Sequence, residues 1–362
     1  MKEKWTVEQA NAWYDSLGWL RGCNFIGSDC SSRIDMWQSY GREGHMETAR
    51  RELKLAQDIG FNTIRLIVEF DVWLQEHDSF MSVLEEYISI AAEYGQSVML
   101  CLAHEAVICR EEKYEPKPLG EQPYAMGYHQ GRWPLSEEQR AKTPVHALER
   151  EETRESYLTM VREIVGKYAN DKRVVCWNVY NEPGIAIRER CLPLLDMLFE
   201  AVRSQDPIQP LCADVWRGMD EDGTPTSAEC KHALELSDVV SYHSYTPVEK
   251  MVPQIEAIQQ YGRPILMTEW LNRINHSDVR ELYPLFYLER IGHYCWGFVV
   301  GKTQTHEPWE SLWAQYEKDP TVPYDFTKWQ HDLFRPNLRP YDPHELEIIK
   351  RYNALAAKKE QK

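Results

Sequence analysis

The sequence predicts a (β/α)8 TIM barrel, a single domain over residues 1–362 with two long loops. Three observations predict it. Eight short apolar, β-prone segments alternate with helix-patterned ones, and parallel strands buried on both faces leave such near-continuous apolar runs. The 362 residues suit one large barrel with insertions, and no internal repeat or Gly/Ser/Pro linker divides them. The alternative, a doubly wound open sheet, calls for a Gly-rich phosphate turn after its first strand, and "NFIGSDCSS" is not one.

The elements follow in order. A helix over about residues 6–17 precedes strand 1 in "LRGCNFI". Met46, Ala49, Leu53 and Ala56 share one helical face that Gly60 ends, and strand 2, "NTIRLIV", follows. Leu84, Ile88 and Ala91 mark the helix before strand 3, "SVMLCLA". Tyr157, Val161, Ile164 and Tyr168 mark the helix before strand 4, "RVVCWNVY". Pro193 opens the next helix, where a first-turn proline is favourable, and "PLCADVW" is strand 5. Weakly helical residues 226–236 lead to strand 6, "DVVSYH". Residues 248–260, halted by Gly262, lead to strand 7, "PILMTEW". Residues 278–291 lead to strand 8, "HYCWGFVV", and a helix from about residue 343 closes the series.

Two connections are far longer than turns: residues 104–151 after strand 3 and 301–342 after strand 8. Both leave the C-terminal ends of strands, the face that carries the active site in this fold, where long loops form walls or lids. The second holds Trp309, Trp313, Tyr316, Tyr324, Phe326, Trp329, Phe334 and Tyr341, either a satellite hydrophobic cluster or a platform for substrate.

Composition narrows the partners. With 43% hydrophobic and 27% charged residues the chain is a globular protein with a full core. A formal charge of −16 argues against nucleic acid and anionic membranes, which are bound through clustered Lys and Arg. The first residues lack an apolar signal segment and no stretch reaches membrane-spanning length, so a cytoplasmic location is expected. Nine cysteines, mostly in apolar strands (Cys101, Cys176, Cys212, Cys295), read as reduced core thiols.

Polar residues at the ends of those strands carry the chemistry. Asn24, Arg65, His104, Asn181 with Glu182, His243 with Tyr245, Glu269 and Trp296 fall at the ends of strands 1, 2, 3, 4, 6, 7 and 8. Any one of them could be structural, but all should converge on one barrel mouth. Carboxylates on strands 4 and 7 face each other across the axis, as glycoside hydrolysis requires: one protonates the leaving oxygen, the other attacks or activates water. An acid needs a raised pKa, whereas a nucleophile needs cations or donors nearby; Arg65, His243 and Tyr245 are candidates for that second environment.

"WNVYNEP", "ILMTEW", "NTIRL", "YHSY" and "YCWG", spread over residues 20–300, resemble the clan A glycoside hydrolases and within them the cellulase-like family 5, as a divergent branch. The resemblance implies a retaining double displacement without metal or organic cofactor. It makes Glu182 the acid/base, Glu269 the nucleophile and Asn181 a ligand of the sugar 2-hydroxyl. It also implies that Tyr245 hydrogen-bonds Glu269, that Arg65 holds it ionised, that Trp296 underlies the sugar, and that the Trp296–Gly297 peptide is cis. "LAHEAV", with Glu105 beside His104, and "GKTQTH" and "WQHDLFRP" after strand 8 depart from the best-known cellulases and mannanases, which leaves the substrate open.

Other readings are weaker. "VVGKT" lacks the P-loop's first glycine, whose place is taken by Trp296. A metal-dependent hydrolase could use His104, His243, Glu182 and Glu269, but strand 1 offers no His-x-His pair. A non-catalytic carbohydrate-binding barrel would not need both carboxylates. An exo-acting β-glycosidase on imported oligosaccharides is expected, with an endo-β-glycanase of xylanase, cellulase or mannanase type as the alternative. Sugar, linkage and oligomeric state are not fixed by the sequence.

Overall fold

The computed structural model describes residues 3–129, 138, 141–216, 219, 220 and 224–360. Part of the expected loop at 104–151 therefore lies outside the described residues.

Eight parallel strands close a barrel: β1 (Arg21–Asn24), β2 (Thr63–Ile67), β3 (Ser97–Cys101), β4 (Val174–Tyr180), β5 (Leu211–Val215), β6 (Val240–His243), β7 (Ile265–Trp270) and β8 (Gly292–Cys295). Closure is made by β1 on β8, with Arg21 opposite His293 and Cys23 opposite Cys295. Gly22 permits the β1–β2 contact, since a Cβ there would lie 1.9 Å from the Thr63 carbonyl oxygen. Each expected helix is present, from Val7–Leu17 to Pro343–Glu360. The sequence reading lacked the short helices Arg33–Trp37, Phe70–Gln75 and Glu310–Lys318 and a two-residue hairpin pairing Ile108–Cys109 with Val145–His146. At five, six or nine residues these helices present too few turns for a periodic signal.

Burial is divided by the barrel wall. Outside it, the faces of the helices pack on the strands around Trp177, Leu198, Val202 and Phe286. Inside, Met99, Cys176, Cys212, Leu266 and Tyr294 fill the lower half, where Ala10 and Tyr14 of the first helix plug the floor. That helix starts at a capping box between Thr6 and Gln9. The floor is thus apolar and the polar side chains are left to the upper rim. The nine cysteines are buried and none is in a disulfide. Among the described residues no helix is long and apolar enough to cross a membrane.

Candidate active site

Irregularities in the ladder aim the site. Register shifts fall between Asn178 and Tyr180 on β4 and between Tyr242 and His243 on β6, the latter bringing His243 opposite Glu269. Bulges of this kind re-aim side chains at barrel rims. Glu182 follows β4 with φ +47, a left-handed conformation that costs a non-glycine residue energy and turns its side chain toward the axis.

Arg65 is the hub. It is buried and donates to Asn24 at 2.7 Å, Asn178 at 2.8 Å, Asn181 at 2.6 Å, Asp214 at 2.9 Å and Glu269 at 3.2 Å. Burial works against its charge, but Asp214 and Glu269 outweigh it and raise its pKa. Asn24 is fixed in turn by donating to the Thr268 carbonyl at 2.8 Å.

His243 links both halves. Its Nδ1 lies 3.0 Å from Glu182 and 3.5 Å from Glu269, and its Nε2 faces Asp214 at 3.3 Å as an ion pair without a well-aligned hydrogen bond. Burial opposes its protonation, but Glu269 and Asp214 reverse that and lift its pKa to about 10. His243 is therefore an imidazolium at neutral pH. Asp214, fully buried on β5, is pushed up by burial and pulled down harder by His243 and Arg65, so it stays ionised. Tyr245 donates to Glu269 Oε2 at 2.6 Å. Burial raises the Glu269 pKa above the usual carboxylate range; His243 and Arg65 oppose that, while Glu182 adds to it.

The carboxylates thus differ in their partners: among the described residues Glu269 has a guanidinium, a phenol and the imidazolium, and Glu182 has the imidazolium. Their converging oxygens lie within 4.8 Å of each other. Asn181 keeps its place through Arg65 and by donating its N–H to the Ala103 carbonyl at 2.8 Å. Trp296 stands half-buried beside a pocket lined by Asn24, Arg33, Arg65, His129 and Asp332, with its indole N–H buried and unpartnered. The Trp296–Gly297 peptide, expected to be cis, is trans. Gly297 has φ +77, in the left-handed region that favours glycine, and a Cβ there would lie 2.6 Å from Asp332 Oδ1.

His104 is not brought to the carboxylates. Its Nε2 faces the Val68 carbonyl at 3.2 Å and its Nδ1 accepts from the Ala106 N–H at 3.2 Å; burial and then Arg33 hold it neutral. Its neighbour Glu105 has the closer connection to the site. Buried beneath the turn after Glu182, its carboxylate accepts from the N–H groups of Gly184 at 2.5 Å, Ile187 at 2.9 Å and Ala186, and from the Tyr180 hydroxyl at 3.2 Å. Glu105→Ala leaves three N–H groups without their acceptor, at about 1–3 kcal/mol each. The expected result is a loss of several kcal/mol in chemical denaturation together with reduced turnover, because the turn that carries Glu182 is freed; unchanged stability would refute this.

Sequence reasoning also missed Asp214 and Asn178. The signal was present: a carboxylate inside "PLCADVW" and an amide inside "VVCWNVY" sit in apolar strands, where polar side chains need partners.

The two long loops meet over the mouth. His129 donates its N–H to the Thr303 carbonyl at 2.9 Å, and Gln304 accepts from the Gly127 N–H at 3.0 Å while donating to Ala125 at 2.6 Å. The aromatics after β8 form ring clusters at the loop and one contact with the site. Trp313 stacks on Phe326 at 3.9 Å and Trp329 on Tyr341 at 4.8 Å as satellite clusters, whereas Trp309 meets Tyr245 edge-on at 5.0 Å.

Among the described residues, two groups converge closely enough to share a cation: Asp29, Cys30 and His45, and Glu182, His243 and Glu269. In the first, Asp29 and His45 already pair at 2.8 Å. In the second, the imidazolium has no lone pair to give.

This geometry agrees with the comparisons. Solved structures that resemble the fold include a β-1,4-mannanase from the common sea hare Aplysia kurodai (14% identity over 77% of this chain and 88% of that one, TM-score 0.53). A glycoside hydrolase family 5 mannosidase from Rhizomucor miehei shares 14% identity over 95% and 94% of the two chains, TM-score 0.56. A GH5_18 variant from Streptomyces cattleya in complex with Manβ1-4GlcNAc shares 12% over 93% and 80%, TM-score 0.56. No curated protein matches the sequence. The family model for cellulase, glycosyl hydrolase family 5, matches residues 22–294, and with that match the chain belongs to this family of glycoside hydrolases.

Proposed function

We propose that the protein is a retaining β-glycosidase that removes sugars from the non-reducing end of short β-linked oligosaccharides, with Glu269 as nucleophile and Glu182 as acid/base. The observation that carries the reading is that the two carboxylates have oxygens within 4.8 Å of each other, short of the roughly 6.5–9.5 Å that an inverting pair needs to hold its water. Glu269 attacks the anomeric carbon as the bond to the leaving oxygen breaks, and Glu182 gives that oxygen its proton. Glu182 then takes a proton from water, whose oxygen displaces Glu269 from the anomeric carbon and restores the original configuration. Negative charge passes from Glu269 to Glu182 and back during the cycle. The imidazolium of His243, 3.0 Å from one and 3.5 Å from the other, faces it in either place. Asn181, held by Arg65, is the candidate for the sugar 2-hydroxyl, and Trp296 is the platform under the ring.

The exo reading is supported by the contacts of His129 and Gln304, which join the two loops on the Trp296 side of the mouth, away from Glu182. A leaving group must lie beside the acid, so the joined loops bound the glycone. The test is a panel of aryl β-glucosides, galactosides, mannosides and xylosides with matching oligosaccharides and polymers, the first-formed anomer being read by NMR. Release of terminal monosaccharide with retention, and no fall in polymer viscosity, is expected. A rapid viscosity fall would make the enzyme endo-acting, and inversion would refute the assignment of Glu269.

A further inference from the structure

Gln330, His331 and Asp332 are almost completely buried although they belong to a loop, the "WQHD" stretch that follows β8. Buried loop backbone and side chains need partners, and among those found here are Leu271 and Arg273, which follow Glu269 closely in the chain. We propose that Gln330 and His331 form a positioning element for the nucleophile, with His331 acting through Tyr245; the inference rests on the reading of Glu269 as nucleophile.

The His331 ring lies 5.3 Å from that of Tyr245, and Trp309 closes a second side of the phenol at 5.0 Å and 89°. The two rings leave the Tyr245 hydroxyl directed at Glu269. Hydrogen bonds in turn fix the clamp. Burial pushes the His331 pKa down to about 3, so the ring is neutral and one nitrogen donates while the other accepts. Nδ1 faces the Leu271 carbonyl and therefore carries the proton; Nε2 accepts from the Gln330 amide at 2.8 Å. The oxygen of the same amide accepts from the Trp309 backbone N–H at 2.9 Å, so one side chain ties the His331 ring to the backbone that carries the Trp309 ring.

The same ring also reaches the end of the nucleophile's strand. Leu271, two residues after Glu269, has φ +86, a conformation an L residue holds only when its surroundings impose it. Its carbonyl is the one that His331 binds. Behind the segment, buried Arg273 donates to the His331 and Asp332 carbonyls at 2.9 Å each and pairs with Glu345 at 2.7 Å. The segment is anchored on one side and presses on Tyr245 on the other.

The test uses the full chain and a para-nitrophenyl β-glycoside that the wild type hydrolyses. His331→Phe keeps the ring but loses both hydrogen bonds, and His331→Asn restores a donor near the Nδ1 position. The charged and titratable groups around Glu269 are Arg65 on β2, Glu182 after β4, Asp214 on β5, and His243 and Tyr245 at the end of β6. Of these the inference alters only the contact with Tyr245. His331→Phe is expected to lower kcat/KM by about 10- to 100-fold, the scale of a small misplacement of a reacting group. It is also expected to move the acidic limb of kcat/KM to higher pH, because a weakened donor to the carboxylate disfavours its charged form. His331→Asn should recover part of both. In a Tyr245→Phe background, His331→Phe should add at most about threefold, since residues acting through one contact are not additive. Should His331→Phe not fold, Gln330→Leu, which releases the His331 ring and the Trp309 backbone N–H, is read in the same way. A full additive loss on Tyr245→Phe, or lost activity with an unmoved acidic limb, overturns the inference. Unchanged kcat/KM and acidic limb in Tyr245→Phe alone would overturn the nucleophile reading, and the inference with it.

Discussion

On the proposed assignment, Glu269→Gln is expected to lower kcat on the order of 10⁴- to 10⁶-fold, because the amide does not form the bond to the anomeric carbon and residues that act as a unit fail together. Glu182→Gln is expected to behave differently. On an alkyl glycoside it loses the proton for the leaving oxygen, about 10²- to 10⁴-fold. On a dinitrophenyl glycoside, whose leaving group needs no proton, the first step survives and the second is slow for want of a base. The signature is a burst of dinitrophenol of about one equivalent per enzyme, then slow turnover. The partners of the two carboxylates set this division of labour. Glu269 receives Arg65 at 3.2 Å and Tyr245 at 2.6 Å, which favour a charged, attacking carboxylate; Glu182 has neither. Equal losses for Glu182→Gln on both substrates would remove Glu182 from the acid role, and a dinitrophenol burst in Glu269→Gln would remove Glu269 from the nucleophile's.

The barrel was legible because its determinants are local. Strands such as "VVCWNVY" and "ILMTEW" carry their burial in their own residues, and a helix such as Arg42–Asp58 announces its buried face through Met46, Ala49, Leu53 and Ala56. The strand-end residues were legible for the same reason: in a closed parallel barrel all strands point one way, so Arg65, Glu182, His243 and Glu269 must meet. Residues whose position depends on distant segments were not. Tyr245 and His331 are far apart in the chain, and nothing in "WQHDLFRP" says that it folds back onto the end of β6. Nor does a sequence state that Gln304 joins one long loop to the other, since loop length sets reach but not destination. His104 shows the converse. Its place after β3 matched the pattern, but its ring is spent on the Val68 carbonyl and the Ala106 N–H, and the adjacent Glu105 supports the site instead.

Asp214→Asn is expected to be strongly destabilising. The carboxylate is fully buried, pairs with Arg65 at 2.9 Å and His243 at 3.3 Å, and accepts from Asn178 at 2.9 Å, Thr268 at 3.1 Å and Ser241. An amide of the same shape has no charge to set against the two cations on the Oδ2 side, and its one NH2 group faces donors either way, Arg65 and His243 at Oδ2 or Asn178 at Oδ1. Removing one member of a buried pair costs about 3–5 kcal/mol, because the remaining charges stay buried without compensation. The cost should depend on pH in a defined direction. The His243 pKa stands at about 10 against an ordinary 6.5, so the stability it brings is complete below 6.5 and is lost as pH rises through about 10. Asp214 is a main cause of that elevation, after Glu269. The substitution therefore lowers the His243 pKa, and the stability of the variant should change less than that of the wild type between neutral pH and about pH 10. Chemical denaturation of both proteins at the two pH values measures this, the difference being largest near neutrality and smaller at the alkaline end. A difference independent of pH would mean that Asp214 does not hold the proton on His243 and that Glu269 alone accounts for the charge there.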